Sequence, residues 1–127
     1  MLYRGGCHCG AVRFEVEASG PIKCEDCNCS ICAKSGFLHL IVPKSKFKLL
    51  QGESSLTTYT FNTGVAQHRF CNICGVKSFY IPRSNPDGVD VNVRCLEPIP
   101  ADFIVEPFDG QNWEQHGHKL AHMSKDT

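Results

Sequence analysis

Cys27-Asn28-Cys29-Ser30-Ile31-Cys32 puts three thiols within six residues, a C-x-C-x-x-C run. Thiolates at this spacing converge on one metal ion without help from the rest of the chain. Zinc takes four ligands. A closed set of protein ligands is structural, and a position left open is where chemistry happens. The run supplies three, so the fourth position decides what the site does. The nearest spare thiols are Cys24 and Cys95. If either closes the set, the site is structural. If neither does, the metal keeps an exchangeable position, and a thiol entering it is deprotonated into a nucleophile near neutral pH. Cys24 falls in a short predicted strand among apolar neighbours and reads first as a small core residue, and Cys95 reads the same way.

A second constellation joins Cys7-x-Cys9 to Cys71-x-x-Cys74. Each pair ends a predicted strand and is followed by a glycine, Gly10 or Gly75. Glycine allows the tight backbone needed where amides fold over bound sulfurs. Two such pairs from remote parts of the chain make a closed four-sulfur zinc site. It would staple the N-terminal hairpin to the middle of the sheet. Metal binding of this kind contributes on the order of 10 kcal/mol of folding free energy. The alternative, a redox dithiol, rarely needs a second matched pair.

The elements that must position these thiols are short strands. Ala11 to Ala18 alternates, with Val12, Phe14 and Val16 on one face and Arg13, Glu15 and Glu17 on the other. Gly20-Pro21 is a turn, and Ile22 to Asp26 a short strand delivering the central run. Phe37 to Val42 is apolar and β-prone, stopping at Pro43. Ser45 to Leu50 reads as a turn plus strand. Leu56 to Phe61 and Val65 to Phe70 flank Asn62-Thr63-Gly64 as a hairpin. Val76 to Pro82 and Val89 to Leu96 are further strands, separated by a loop over Ser84 to Gly88, and Phe103 to Pro107 is the last. The tail from Asp109 is polar, with Trp113 as its apolar anchor onto the sheet. Many short strands between turn signals predict an all-β domain.

At 127 residues the chain is one domain, 1–127, with a tail from about residue 115 that carries no ordered frame. The net charge is zero, which gives no electrostatic footprint for nucleic acid. No apolar run is long enough to cross a membrane, and Met1 to Gly6 shows no signal segment. Among the nine cysteines, the tight C-x-C and C-x-x-C pairs then read as metal ligands rather than disulfides, and the expected setting is soluble and cytoplasmic.

With both constellations placed, the chain resembles the family of glutathione-dependent formaldehyde-activating enzymes and the related centromere protein V. The matching stretches are Tyr3 to Phe14, Cys27 to Cys32, and Phe70-Cys71 to Cys74-Gly75. Four more look closer to centromere protein V: Phe47 to Leu50, Thr58 to Thr63, Pro82 to Pro86, and Asn112-Trp113-Glu114. The resemblance implies a β-tent of antiparallel sheets stapled by zinc. It implies two zinc ions per chain: a structural one at Cys7, Cys9, Cys71 and Cys74, and a catalytic-type one at Cys27, Cys29 and Cys32. It implies a carbon–sulfur lyase that condenses glutathione, or a similar small thiol, reversibly with formaldehyde. One departure is Asn28, where the bacterial enzymes often carry histidine.

On that reading His39 is a candidate proton carrier, although a lone strand histidine is more often structural. Lys34 or Arg83 would meet the thiol's carboxylates, solvated surface charge being the plain alternative. His116, His118 and His122 have spacing that invites a metal but lack a frame to hold one. The competing function is a non-catalytic zinc-binding interaction domain with both sites saturated.

Overall fold

A computed structural model describes residues 1–125. Ten strands run in chain order: β1 (Leu2–Gly6), β2 (Arg13–Glu17), β3 (Lys23–Cys27), β4 (Leu38–Pro43), β5 (Phe47–Gln51), β6 (Leu56–Tyr59), β7 (His68–Cys71), β8 (Phe79–Tyr80), β9 (Gly88–Asn92) and β10 (Ile104–Phe108). They form three sheets, ordered β1-β2-β5, β10-β3-β4-β9-β8 and β6-β7. The all-β class expected from the sequence is the class observed, and no helix among the described residues is long and apolar enough to cross a membrane. One pairing departs from the antiparallel rule: β10 runs parallel to β3. These strands lie far apart in the chain, so no hairpin constrains their direction.

The five-stranded sheet positions the site because its two faces differ. Successive side chains in a strand point to opposite faces. Cys24, Leu38, Leu40, Val42, Phe79, Val89 and Val91 point into the hydrophobic core. There they meet Val12, Phe14 and Val16 of the three-stranded sheet. Phe14, Phe47 and Phe79 pack ring to ring, with centroids 4.7 to 6.1 Å apart. Burying a side chain such as Phe14 stabilises the fold by about 1.5–3 kcal/mol. The alternate residues Glu25, Cys27, His39, Ile41, Tyr80 and Asp90 line a cavity on the opposite face.

Of the strand expected over Val76 to Pro82, only Phe79–Tyr80 forms a strand, and three further segments also differ from their sequence expectation. Ser30–Ser35 is a short helix, α1, closed by Gly36 in the left-handed region (φ 66°), whose N–H bonds Cys32 O. Too short for an amphipathic period, it carries no helical signature. The strand expected to Leu96 stops at Asn92, because the Asn92 side chain accepts a bond from Arg94 N–H (3.1 Å) and turns the chain into a 3₁₀ turn over Val93–Cys95. The tail forms α2 (Trp113–His116) and a 3₁₀ segment over Gly117–Ser124. Fully buried Asn85 holds it, donating to Leu120 O (2.9 Å), Ala121 O (3.2 Å) and Ser124 Oγ (2.9 Å). Trp113 packs against Gly117 and under the Arg83 guanidinium, 3.8 Å from the ring centroid.

Candidate functional site

The ends of β1 and β7 bring the first four cysteines together. All four sulfurs of Cys7, Cys9, Cys71 and Cys74 lie within 4.8 Å of one another. Cys7 and Cys9 Sγ are 3.6 Å apart, and Cys9 and Cys71 Sγ 3.7 Å. A tetrahedral zinc with bonds of about 2.3 Å holds its sulfurs about 3.8 Å apart, so this donor set fits zinc. Amides fold over the sulfurs as the two glycines require. Val12 N–H donates to Cys7 Sγ (3.3 Å) and Ile73 N–H to Cys71 Sγ (3.4 Å), while Gly10 and Gly75 take φ of 86° and 79°. The Cys74 backbone, above all, holds the Cys71 thiol below its ordinary pKa.

The central run gathers a second set. Cys27 ends β3, Cys29 caps α1, and Cys32 lies buried in its first turn. The Cys27 and Cys32 sulfurs and one ring nitrogen of His39 lie within 4.8 Å of one another. Cys29 joins them through thiol hydrogen bonds. Those from Cys27 and Cys32 hold it as a thiolate, its pKa brought down to about 2. The bond to Cys29 pushes Cys27 up to about 11, and bonds to Cys27 and then Cys29 push Cys32 up as well. A cation held among these three thiols would displace the protons they carry.

Backbone and side chains hold the run over this point. Asn28 N–H bonds Phe108 O (3.2 Å), its side-chain amide donates to Asp109 Oδ1 (3.1 Å), and its side-chain carbonyl accepts from Gln111 N–H (2.8 Å). The residue that departs from the bacterial pattern is therefore a clamp between β3 and the 109–111 loop. That loop brings Gly110 against the cysteines. A Cβ there would collide with Cys27 Sγ and lie 3.0 Å from Cys29 Cβ.

His39 lies across this cluster. Its Nε2 is 3.1 Å from Cys32 Sγ, and its Nδ1 is 2.6 Å from Asp90 Oδ2. Tyr80 Oη lies 3.4 Å from the same Nδ1. His39 pairs with Asn92 and Ile41 with Asp90, so His39 and Asp90 meet on the diagonal of the β4–β9 ladder. Burial opposes charge on the imidazole, and Asp90 outweighs it, raising the His39 pKa.

The cavity above the thiols has a volume of about 490 Å³, within the usual range for small-molecule sites. Its walls include Phe61, Tyr80, Phe108 and Trp113, with Arg83 and Glu114 paired at 2.6 Å on one side. Burial pushes the Glu25 carboxyl up to about 7. Lys77 Nζ sits over the Phe37 and Tyr80 rings, 5.0 and 4.4 Å from their centroids, and donates to His68 Nδ1 at 3.0 Å.

Cys24 and Cys95 do not close the central set. Cys24 points from β3 into the core, and burial pushes its thiol up to about 11. Glu25 and Cys27 take the cavity face of the same strand. Cys95 belongs to neither group, and burial, with the charge of Cys7, Glu97 and Cys74 adding to it, pushes its thiol up to about 11. Lys34 is exposed on α1. His116 accepts a bond from Lys119 (2.9 Å), and His116, His118 and His122 form no metal-holding group among the described residues. Asp90, Tyr80, Glu25 and Gly110 escaped the sequence reading. The signal for Asp90 was present: Val89, Asp90 and Val91 alternate, but the polar position faces a cavity rather than solvent.

The sequence model of the family described as glutathione-dependent formaldehyde-activating enzyme matches residues 2–107. A Halomonas elongata protein, provisionally named a glutathione-dependent formaldehyde-activating enzyme, is 32% identical over 82 residues, covering 58% of this chain and 52% of that protein. The chain thus matches about half the length of that relative. The crystal structure of a Rhodobacter sphaeroides protein superposes with a TM-score of 0.72 at 35% identity, covering 81% of this chain and 99% of that one.

Proposed function

The chain belongs to the family of glutathione-dependent formaldehyde-activating enzymes, and from that membership we propose that it adds a small thiol, glutathione as the first choice, reversibly to formaldehyde or a related aldehyde. The observation that carries this reading is the gathering of the Cys27, Cys29 and Cys32 thiols at a cavity of about 490 Å³. In this reading Cys27, Cys29 and Cys32 hold a catalytic-type zinc, and Cys7, Cys9, Cys71 and Cys74 a structural one. The whole of 1–127 works as one domain. Clustered thiols of this kind suit a reducing, cytoplasmic compartment.

A zinc ion held at the central run would supply positive charge that favours the thiolate form of an incoming thiol. The protein's share is binding and orientation. The reaction forms one carbon–sulfur bond, and the proton leaving the thiol ends on the aldehyde oxygen, so the product is a hydroxymethyl thioether. Holding both reactants in one cavity makes a two-body encounter local. Arg83, which stacks on Trp113 and pairs with Glu114, would meet a carboxylate of the thiol in this reading. The stretches that resemble centromere protein V reach this cavity through Phe61, Arg83 and Trp113.

The test is exchange NMR on glutathione and formaldehyde with zinc-loaded protein, against the uncatalysed mixture and a Cys29→Ser variant. The expected result is faster exchange with the native chain and none above background with the variant. No acceleration from a chain holding two zinc ions would remove glutathione–formaldehyde chemistry and favour the interaction-domain reading.

A further inference from the structure

We propose that His39 is the fourth ligand of the central metal in the thiol-free protein, bound through Nε2 and positioned by Asp90. This rests on the reading above only in taking the central run to be a metal site. Four observations carry it. The first is distance. His39 Nε2 is 3.1 Å from Cys32 Sγ, and a ring nitrogen of His39 lies within 4.8 Å of Cys27 Sγ. Zinc bonds of about 2.3 Å to sulfur and 2.0–2.1 Å to nitrogen put a tetrahedral N···S edge at about 3.5 Å, so a shift of a few tenths of an ångström suffices.

The second is orientation. Asp90 Oδ2 lies 2.6 Å from Nδ1, which therefore carries the proton and donates it in a hydrogen bond. Nε2 is left with its lone pair directed at the sulfurs. A carboxylate behind a histidine is the usual support of a metal-bound imidazole. The third is charge. Asp90 is buried, and its other oxygen, Oδ1, has no hydrogen-bond partner. A buried carboxylate in that state calls for nearby positive charge, which a metal-bound imidazole conveys. The fourth is elimination within the fold. Cys24 faces the core and Cys95 belongs to neither group, so His39 is the remaining ring or thiol donor gathered with Cys27 and Cys32 among the described residues.

The central site is then a three-sulfur, one-nitrogen set whose nitrogen comes from a different strand. Cys27, Cys29, Cys32 and His39 would then hold the metal in the thiol-free protein, with His39 the one ligand supplied from outside the run.

Zinc-edge X-ray absorption on the full zinc-loaded chain tests this. Two filled sites average about 3.5 sulfurs and 0.5 nitrogens per zinc, with the outer-shell scattering of an imidazole ring. His39→Ala should abolish the imidazole scattering and keep the sulfur count. Asp90→Asn, which retains the ring, should keep the scattering and weaken central zinc about 10- to 100-fold in chelator competition. That second variant decides the matter if His39→Ala fails to fold. Absence of imidazole scattering from a native chain holding two zinc ions would overturn the assignment, as would an unchanged signal in His39→Ala. Exchange NMR on the same samples separates the two readings. Catalysis without imidazole scattering overturns the His39 assignment alone, and imidazole scattering without catalysis overturns the lyase reading alone.

Discussion

Gly110→Ala is the most economical perturbation of the central site, because it adds one methyl group and removes no ligand. Gly110 has no positive φ, so alanine brings no backbone strain. Its new Cβ would collide with Cys27 Sγ and lie 3.0 Å from Cys29 Cβ, where relaxed carbon contacts lie at about 3.5–4.0 Å. The loop cannot simply lift away, since Asn28 bonds both Asp109 and Gln111. Overpacking of this kind costs about 1–3 kcal/mol. Falling on the arrangement that gathers the thiols, it should weaken central metal binding about 5- to 150-fold. Competition with a chromophoric chelator, following two classes of zinc, reads the effect. The class belonging to Cys7, Cys9, Cys71 and Cys74 should not move. Gln111→Ala is the control, since it keeps the backbone bond to Asn28. If Gly110→Ala left both classes unchanged, the loop would not be seated on the cysteines and the steric reasoning would fail.

The two clusters should fail differently when a ligand is lost. Cys74→Ser should reduce bound zinc to one per chain and remove cooperative thermal unfolding, because a structural zinc contributes on the order of 10 kcal/mol, comparable to a domain's whole margin. Cys29→Ser should also leave one zinc but keep a cooperative transition by circular dichroism. Asn85→Ala leaves the carbonyls of Leu120 and Ala121 without their donor and should cost about 2–3 kcal/mol in denaturant midpoint measurements. The Asp87 pKa is lowered to about 2, by Lys125 first and Ser124 next. A depressed folded pKa contributes stability that is present above the unfolded value near 3.8 and is lost as pH falls through about 2. Asp87→Asn, compared with the native chain at neutral pH where both zinc sites stay loaded, should therefore raise hydrogen exchange over Gly117–Ser124 relative to the rest of the chain.

The cysteine pairs were legible because their tight spacing and following glycines mark where thiols gather. Cys7-x-Cys9 and Cys71-x-x-Cys74 meet as expected, and each following glycine takes the left-handed conformation that the turn over the sulfurs needs. Strands were legible where period two separated a wet face from a dry one, as over Arg13–Glu17. The reading weakened where local chemistry overruled the pattern. Asn92 ends its strand with its own side chain, and α1 is too short to show a period. The tail looked frameless because its frame is a set of carbonyls caught by Asn85, a residue in a distant loop.

What stayed hidden at the site has one cause. A sequence shows which strand positions are polar but not whether that face meets water. In β4 every residue is buried, so His39, singled out in the sequence only as a candidate proton carrier, sat in an apolar run that did not show it facing the thiols. In β9 Asp90 sat in a pattern that any half-exposed strand shows. Only the pairing of Ile41 with Asp90 puts the carboxylate diagonally behind the histidine. That pairing also makes the site dependent on sheet register: a one-residue slip between β4 and β9 would turn Asp90 into the core and leave His39 without its carboxylate. The core residues Leu40 and Val91, paired in the same ladder, fix that register. The apolar face of the sheet therefore sets the geometry of the polar one.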